Sequence, residues 1–201
     1  MAATIVVQEV IGSVGSKTFT TVTNRVRLFT ADQATNQTTP QITYPVPIPP
    51  SSSKYSFWKH VCLDVSGTFT SVSNIRHYSD GAIGWNFGAS GALLRGNMDS
   101  GDDGCGVDTA NSHSDEYDQA TGTGGDTGDT IASSHSKYSG ETTPTADIES
   151  DTSGSPCTLE SGSLTEAGKS KAVVLQVKVD SDATSGVQTA ETLTFKYDVI
   201  D

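Results

Sequence analysis

Two-residue alternation in the best-patterned segments, with no stretch of helical repeat, constrains this chain more than anything else in it. Residues 171–179 (KAVVLQVKV) put Val173, Leu175, Val177 and Val179 on one face, and residues 191–199 (ETLTFKYDV) do the same with Leu193, Phe195, Tyr197 and Val199. Successive strand side chains point to opposite faces, so a repeat of two marks a strand with one face toward a core. Residues 55–65 (YSFWKHVCLDV) alternate too, Phe57, Val61, Leu63 and Val65 against Trp58, His60 and Cys62. After Gly67, residues 68–78 (TFTSVSNIRHY) predict a meander partner for that strand, with a phase shift between Phe69 and Val72 that predicts a bulge. Residues 17–30 predict a half-buried strand with Val22, Val26 and Leu28 on its inner face. Helix content should be close to nil.

Composition agrees. Only 34% of the 201 residues are hydrophobic and 18% are charged, and Ser, Thr, Gly, Asn and Asp fill the difference. These residues favour turns and β-edges over helix interiors. The expected fold is an all-β sandwich of immunoglobulin-like or jelly-roll kind, one domain over 1–201. Two apolar stretches lie outside its obvious core, the first of them a short strand candidate. Residues 4–11 (TIVVQEVI) fall within an N-terminal segment, 1–15, and residues 40–50 (PQITYPVPIPP) hold five of the seven prolines. Proline removes ladder donors, so 40–50 predicts an extended arm. Exposed apolar edges need covering. Thr4, Ile5, Val6, Val7, Val10 and Ile11, with Ile42, Tyr44, Val46 and Ile48 of the arm, are therefore the expected contacts to other subunits.

Residues 97–158 differ in kind, with thirteen carboxylates against Lys137 alone. So polar a segment buries little apolar surface, and it is expected to be a long acidic Gly/Ser/Thr/Asp-rich loop insertion with short strands at most. The net charge is −12, with 12 scattered Lys and Arg, whereas phosphate neutralisation needs them clustered. Nucleic acid is not expected as a direct partner; a basic protein surface suits the charge better. Asp99, Asp102, Asp103 and Asp108 are the weak candidates for calcium, because hard cations take several oxygens from a flexible loop. The spacing is not that of an EF-hand, and a solvated turn is the plainer reading, so no metal is assigned.

Chemistry has little to stand on. Cys62, Cys105 and Cys157 show no paired spacing; Cys62 reads as a small core residue, and Cys105 and Cys157 are candidates to pair. His60 and His77 fall in strands, His113 and His135 in loops, and no nucleophile elbow, metalloprotease, phosphate-loop or paired-cysteine motif occurs. The chain is expected to be no enzyme and to need no cofactor. Tyr55, Trp58, Tyr78 and Trp85 could stack sugars, although aromatics on alternating strands serve more often as core or interface anchors. The start Met-Ala-Ala-Thr has no basic, apolar leader pattern, so synthesis in a cytoplasm without a signal peptide is expected, and no apolar run is long enough to cross a membrane.

The run FWKHVCLDVSGTFTSVSNIRHYSDG…WNFG and the ending KAVVLQVKVDSDATSG…ETLTFKYDVI resemble the β-sandwich, immunoglobulin-like surface proteins of tailed-bacteriophage particles, such as capsid decoration proteins. The resemblance covers about a third of the chain and carries no catalytic residue; the acidic insertion departs from it. It implies a virion structural protein whose partners are copies of itself and a major capsid or other virion protein, with neither nucleic acid nor membrane as partner. A carbohydrate-binding, host-attachment module and a non-viral filament or surface-layer subunit are the alternatives.

Overall fold

The computed structural model describes residues 2–11, 18–23, 25–29, 45–56, 59–81, 84–89, 91–96, 107–108, 145–186 and 188–201, with backbone alone at 11, 93–96, 107–108, 145–147 and 161. Among these the strands are β1 (Ala3–Ile11), β2 (Thr18–Thr21), β3 (Lys54–Tyr55), β4 (Lys59–Gly67), β5 (Ser71–Ser79) and β6 (Ala92–Gly96). They continue with β7 (Val107–Asp108), β8 (Thr145–Asp147), β9 (Cys157–Leu164), β10 (Gly168–Lys169), β11 (Ala172–Val179) and β12 (Leu193–Ile200). The helical content described is one 3-10 turn, Ile148–Ser150. None of it is long and apolar enough to cross a membrane.

Two antiparallel sheets pack face to face, as the alternation predicts. The larger has nine strands along the path β2-β1-β4-β11-β6-β8, with β10, β3 and β7 as short side pairings; the smaller is β12-β5-β9. Between them lie Val61, Leu63 and Val65 of β4, Val72 and Ile75 of β5, Leu159 of β9, Ile148, and Val173, Leu175, Val177 and Val179 of β11. The expected faces of β4 and β11 are thus the core faces. The central strands are covered on their other face as well: His60, Cys62, Ala172, Val174 and Gln176 are each 0% exposed. That explains the near-continuous apolar reading of AVVLQVKV, which a strand buried on one side would not need. Gln176 is tolerated there because its Nε2 donates to the Ser56 carbonyl at 2.9 Å.

Several sequence expectations are corrected. The meander from β4 to β5 does not form: β4 pairs with β1, β10 and β11, whereas β5 pairs with β12 and β9 in the other sheet. The chain changes sheets at Gly67, whose φ of +91° and 2.7 Å approach of a would-be Cβ to the Ala2 carbonyl admit no side chain there without strain. The bulge lies later than predicted, at Asn74–Ile75, where two residues of β5 face Tyr197 alone in β12. Asn74 has φ 52°, a left-handed conformation its short amide tolerates, and its Nδ2 donates to Asp198 at 2.6 Å. Among the described residues of 17–30 the strand is the short β2; 25–29 are not strand, though Val26 and Leu28 do pack on the core and Phe29 is buried. The close of the acidic segment belongs to the sandwich, supplying β8, Ile148 and the first residues of β9. Strands β6 and β9 had no clear signal, since CTLESGSL carries only two large apolar residues.

The N-terminal segment was expected to face a neighbour. Instead β1 is an interior strand, paired with β4 from Ala3↔Gly67 to Val10↔His60 and with β2 on its other edge. Ile5 and Val7 pack against the main core, and Val10 joins Cys62, Ala172 and Phe19 on the far face of the sheet. The chain itself covers these three side chains, which removes the physical reason for assigning them to an outside partner.

Candidate functional site

Residues singled out as an interface are dispersed by the fold. Thr4 is exposed and Val6 half-buried; Ile11 pairs with Thr18 through its backbone. Of the arm, Val46 packs on the core and Ile48 is 37% exposed, while Ile42 and Tyr44 lie outside the described residues. Asp99, Asp102 and Asp103 also lie outside them, and Asp108 enters only as the backbone of β7, opposite Ala172. The four aromatics form no single platform among the described residues. Tyr55 stands on the large sheet and Tyr78 on the small one, while Trp85 is packed on the core edge-on to Phe87 at 5.1 Å. Trp58 lies outside the described residues.

A different patch emerges from strand order. Among the described residues β12 is terminal in the small sheet, hydrogen-bonded to β5 on one side. Its first half is inward, with Leu193 and Phe195 on the core. From Lys196 onward the strand is exposed, Tyr197 at 37%, Val199 at 40% and Ile200 at 57%. With Ile48 these are the exposed large apolar side chains of the described residues. Sequence alternation alone assigned Tyr197 and Val199 to the core, whereas both are exposed.

Titratable groups are gathered inside the sandwich in two places. Glu9 and Lys59 form a buried ion pair at 3.2 Å, with Lys59 Nζ 5.3 Å from the centre of the Phe29 ring. Such a pair contributes little net stability but cannot lose one member cheaply. The second group is His77, Asp151 and Cys157, whose donor atoms all lie within 4.8 Å of one another. His77 is 0% and Asp151 4% exposed, with Nε2 to Oδ2 at 3.9 Å, and Cys157 is half-buried. His77 and Cys157 are directly opposed in the β5–β9 ladder, and Phe195 stands opposite His77 on β12. Asp151 is placed by the 3-10 turn: its N–H donates to the Ile148 carbonyl at 3.0 Å, and its own carbonyl accepts the Ser79 N–H at 2.8 Å.

Cys62 is a fully buried cysteine outside any disulfide, and Cys157 is disulfide-bonded. Cys105, the chain's remaining cysteine, lies outside the described residues. The sequence offered one hint of the cluster, a histidine in phase with Ile75 and Ser79 on the inward face of β5; Asp151 is indistinguishable there from its acidic neighbours. Comparison with protein-family models, curated proteins and solved structures finds no match to the chain.

Proposed function

We propose that this protein is a non-enzymatic structural protein of a virion, of the decoration kind, which binds copies of itself and a major shell protein and stabilises the assembly. The observation that carries the reading is strand β12, which presents Tyr197, Val199 and Ile200 on a strand end whose second edge is unladdered among the described residues. An edge strand with exposed apolar side chains is a template for pairing with another chain, and such edges are blunted where association is to be avoided. Here the exposed aromatic and β-branched groups are interleaved with the exposed Lys196 and Asp198, and the last two residues of the strand, Val199 and Ile200, are both apolar. A net charge of −12 suits docking on a basic protein lattice and disfavours nucleic acid and anionic membrane alike.

Many weak contacts at repeated sites give strong retention on a particle without any one large interface. Particles carrying and lacking the protein should therefore differ in resistance to heat and to internal pressure. The Val199→Lys/Ile200→Lys double variant should fold but be lost from particles on sedimentation. Equal resistance of the two particle types, with loss of attachment to cells or glycans instead, would replace the reading with host attachment.

A further inference from the structure

We infer that His77, Asp151 and Cys157 form a binding site for a zinc-class divalent metal ion, open when the Cys157 disulfide is reduced. The inference stands independently of any role in a virion. It begins with geometry. The three donor atoms lie within 4.8 Å of one another. Donors on one tetrahedral zinc, at about 2.0–2.3 Å from it, stand roughly 3.3–3.8 Å apart. Small side-chain rotations close that gap.

The scaffold is preorganised. The ladder sets His77 against Cys157, and Asp151 is tied by its carbonyl to Ser79, two residues along the same strand as His77. The Ser79 hydroxyl also lies 3.2 Å from the carbonyls of both Asp151 and Ile148, which holds the turn that presents the carboxylate. Ligands held by strands and by hydrogen-bonded turns keep their geometry when a metal leaves.

The chemistry of the donors selects the ion. Imidazole nitrogen, thiolate sulfur and a carboxylate oxygen suit zinc or cobalt, whereas calcium and magnesium require oxygens throughout. Thiolate and carboxylate bring two negative charges into a place where His77 is 0% and Asp151 4% exposed. A divalent cation neutralises them and offsets the desolvation cost. Three protein ligands leave a fourth position for water or another donor.

The disulfide and the metal exclude each other, because a disulfide sulfur is not a thiolate. Opening the site takes two electrons and two protons onto the disulfide, supplied by a dithiol that becomes a disulfide itself. The freed Cys157 thiol then loses its proton to solvent as its sulfur binds the ion, and the metal keeps its oxidation state.

The test titrates the full chain with Co2+, once oxidised and once reduced by a phosphine that does not itself bind the ion. The reduced protein should take up an equimolar amount and show a thiolate-to-cobalt charge-transfer band with tetrahedral d–d bands; the oxidised protein should show neither. Cys157→Ser should lose the charge-transfer band, and His77→Gln and Asp151→Asn should each weaken uptake at least severalfold. Circular dichroism checks the fold of each variant. Should His77→Gln fail to fold, Asp151→Asn, which keeps the shape of the side chain, decides alone. Absence of uptake by the reduced protein, or unchanged affinity in a folded Asp151→Asn, overturns the inference.

Discussion

A lysine and a glutamate carry the sharpest consequence at the scale of single residues. Lys59 and Glu9 are 5% and 1% exposed and 3.2 Å apart, on neighbouring strands and on the core side of the sheet. Replacing Lys59 by Met strands a buried carboxylate and should cost about 3–5 kcal/mol in denaturant unfolding. Adding Glu9→Gln to that variant should recover most of the loss, because the double replacement leaves no uncompensated charge. Gly67 is the other decisive residue. With φ +91° and the Ala2 carbonyl 2.7 Å from where a Cβ would sit, Gly67→Ala should destabilise by about 1–3 kcal/mol. A control replacement at Gly154, around which a Cβ meets nothing within 4 Å, should stay within about 0.5 kcal/mol.

At the scale of elements, the two chain ends play opposite parts. The N-terminal strand β1 joins β2 to β4 and seats Ile5 and Val7 on the core, so deleting residues 2–11 should abolish cooperative folding. A truncated chain that still melts in one sharp transition would show that β1 is dispensable to the sandwich. The C-terminal strand β12 is anchored by Leu193 and Phe195 and exposed beyond Tyr197, so its last residues can change without loss of the core. Lysines at positions 199 and 200 should therefore shift the melting temperature little while removing self-association seen by sedimentation. The contrast was only half legible in the sequence. Both ends read as strands, yet 4–11 looked orphaned and 191–199 looked fully inward. Pairing across the fold embeds the first, and the second lies at the edge of the small sheet among the described residues, exposed from Lys196 onward.

For the whole molecule, burial is concentrated in β4, β5 and β11, and Cys157, the first residue of β9, is disulfide-bonded. Reduction in the presence of a chelator should lower stability by about 2–4 kcal/mol, the usual contribution of a native disulfide. Thermal melts with and without a phosphine reductant check this, and an unchanged melt would mean that the bond contributes no net stability. Zinc added to the reduced protein should restore part of the loss through linkage, because the ion binds the folded form. Association driven by the charge of −12 should also weaken between low and physiological salt, as screening shortens to about 8 Å.

Local alternation is a property of a strand considered alone, and so the sequence by itself determined that the chain is all-β, which faces of 61–65 and 173–179 are apolar, and that Cys62 is a core residue. It also determined the net charge of −12, since charge is a sum over residues. Which strands pair, by contrast, depends on contacts between residues far apart in the chain, and no local pattern records them. Tertiary structure therefore decided that β4 and β5 lie in different sheets, that β1 is interior, and that a stretch as polar as CTLESGSL completes the small sheet by backbone hydrogen bonds to β5. The meeting of His77, Asp151 and Cys157 is of the same kind. Seventy-four residues separate Asp151 from His77 along the chain, and only the β5–β9 ladder and the Ser79 hydrogen bond bring their side chains within 4 Å.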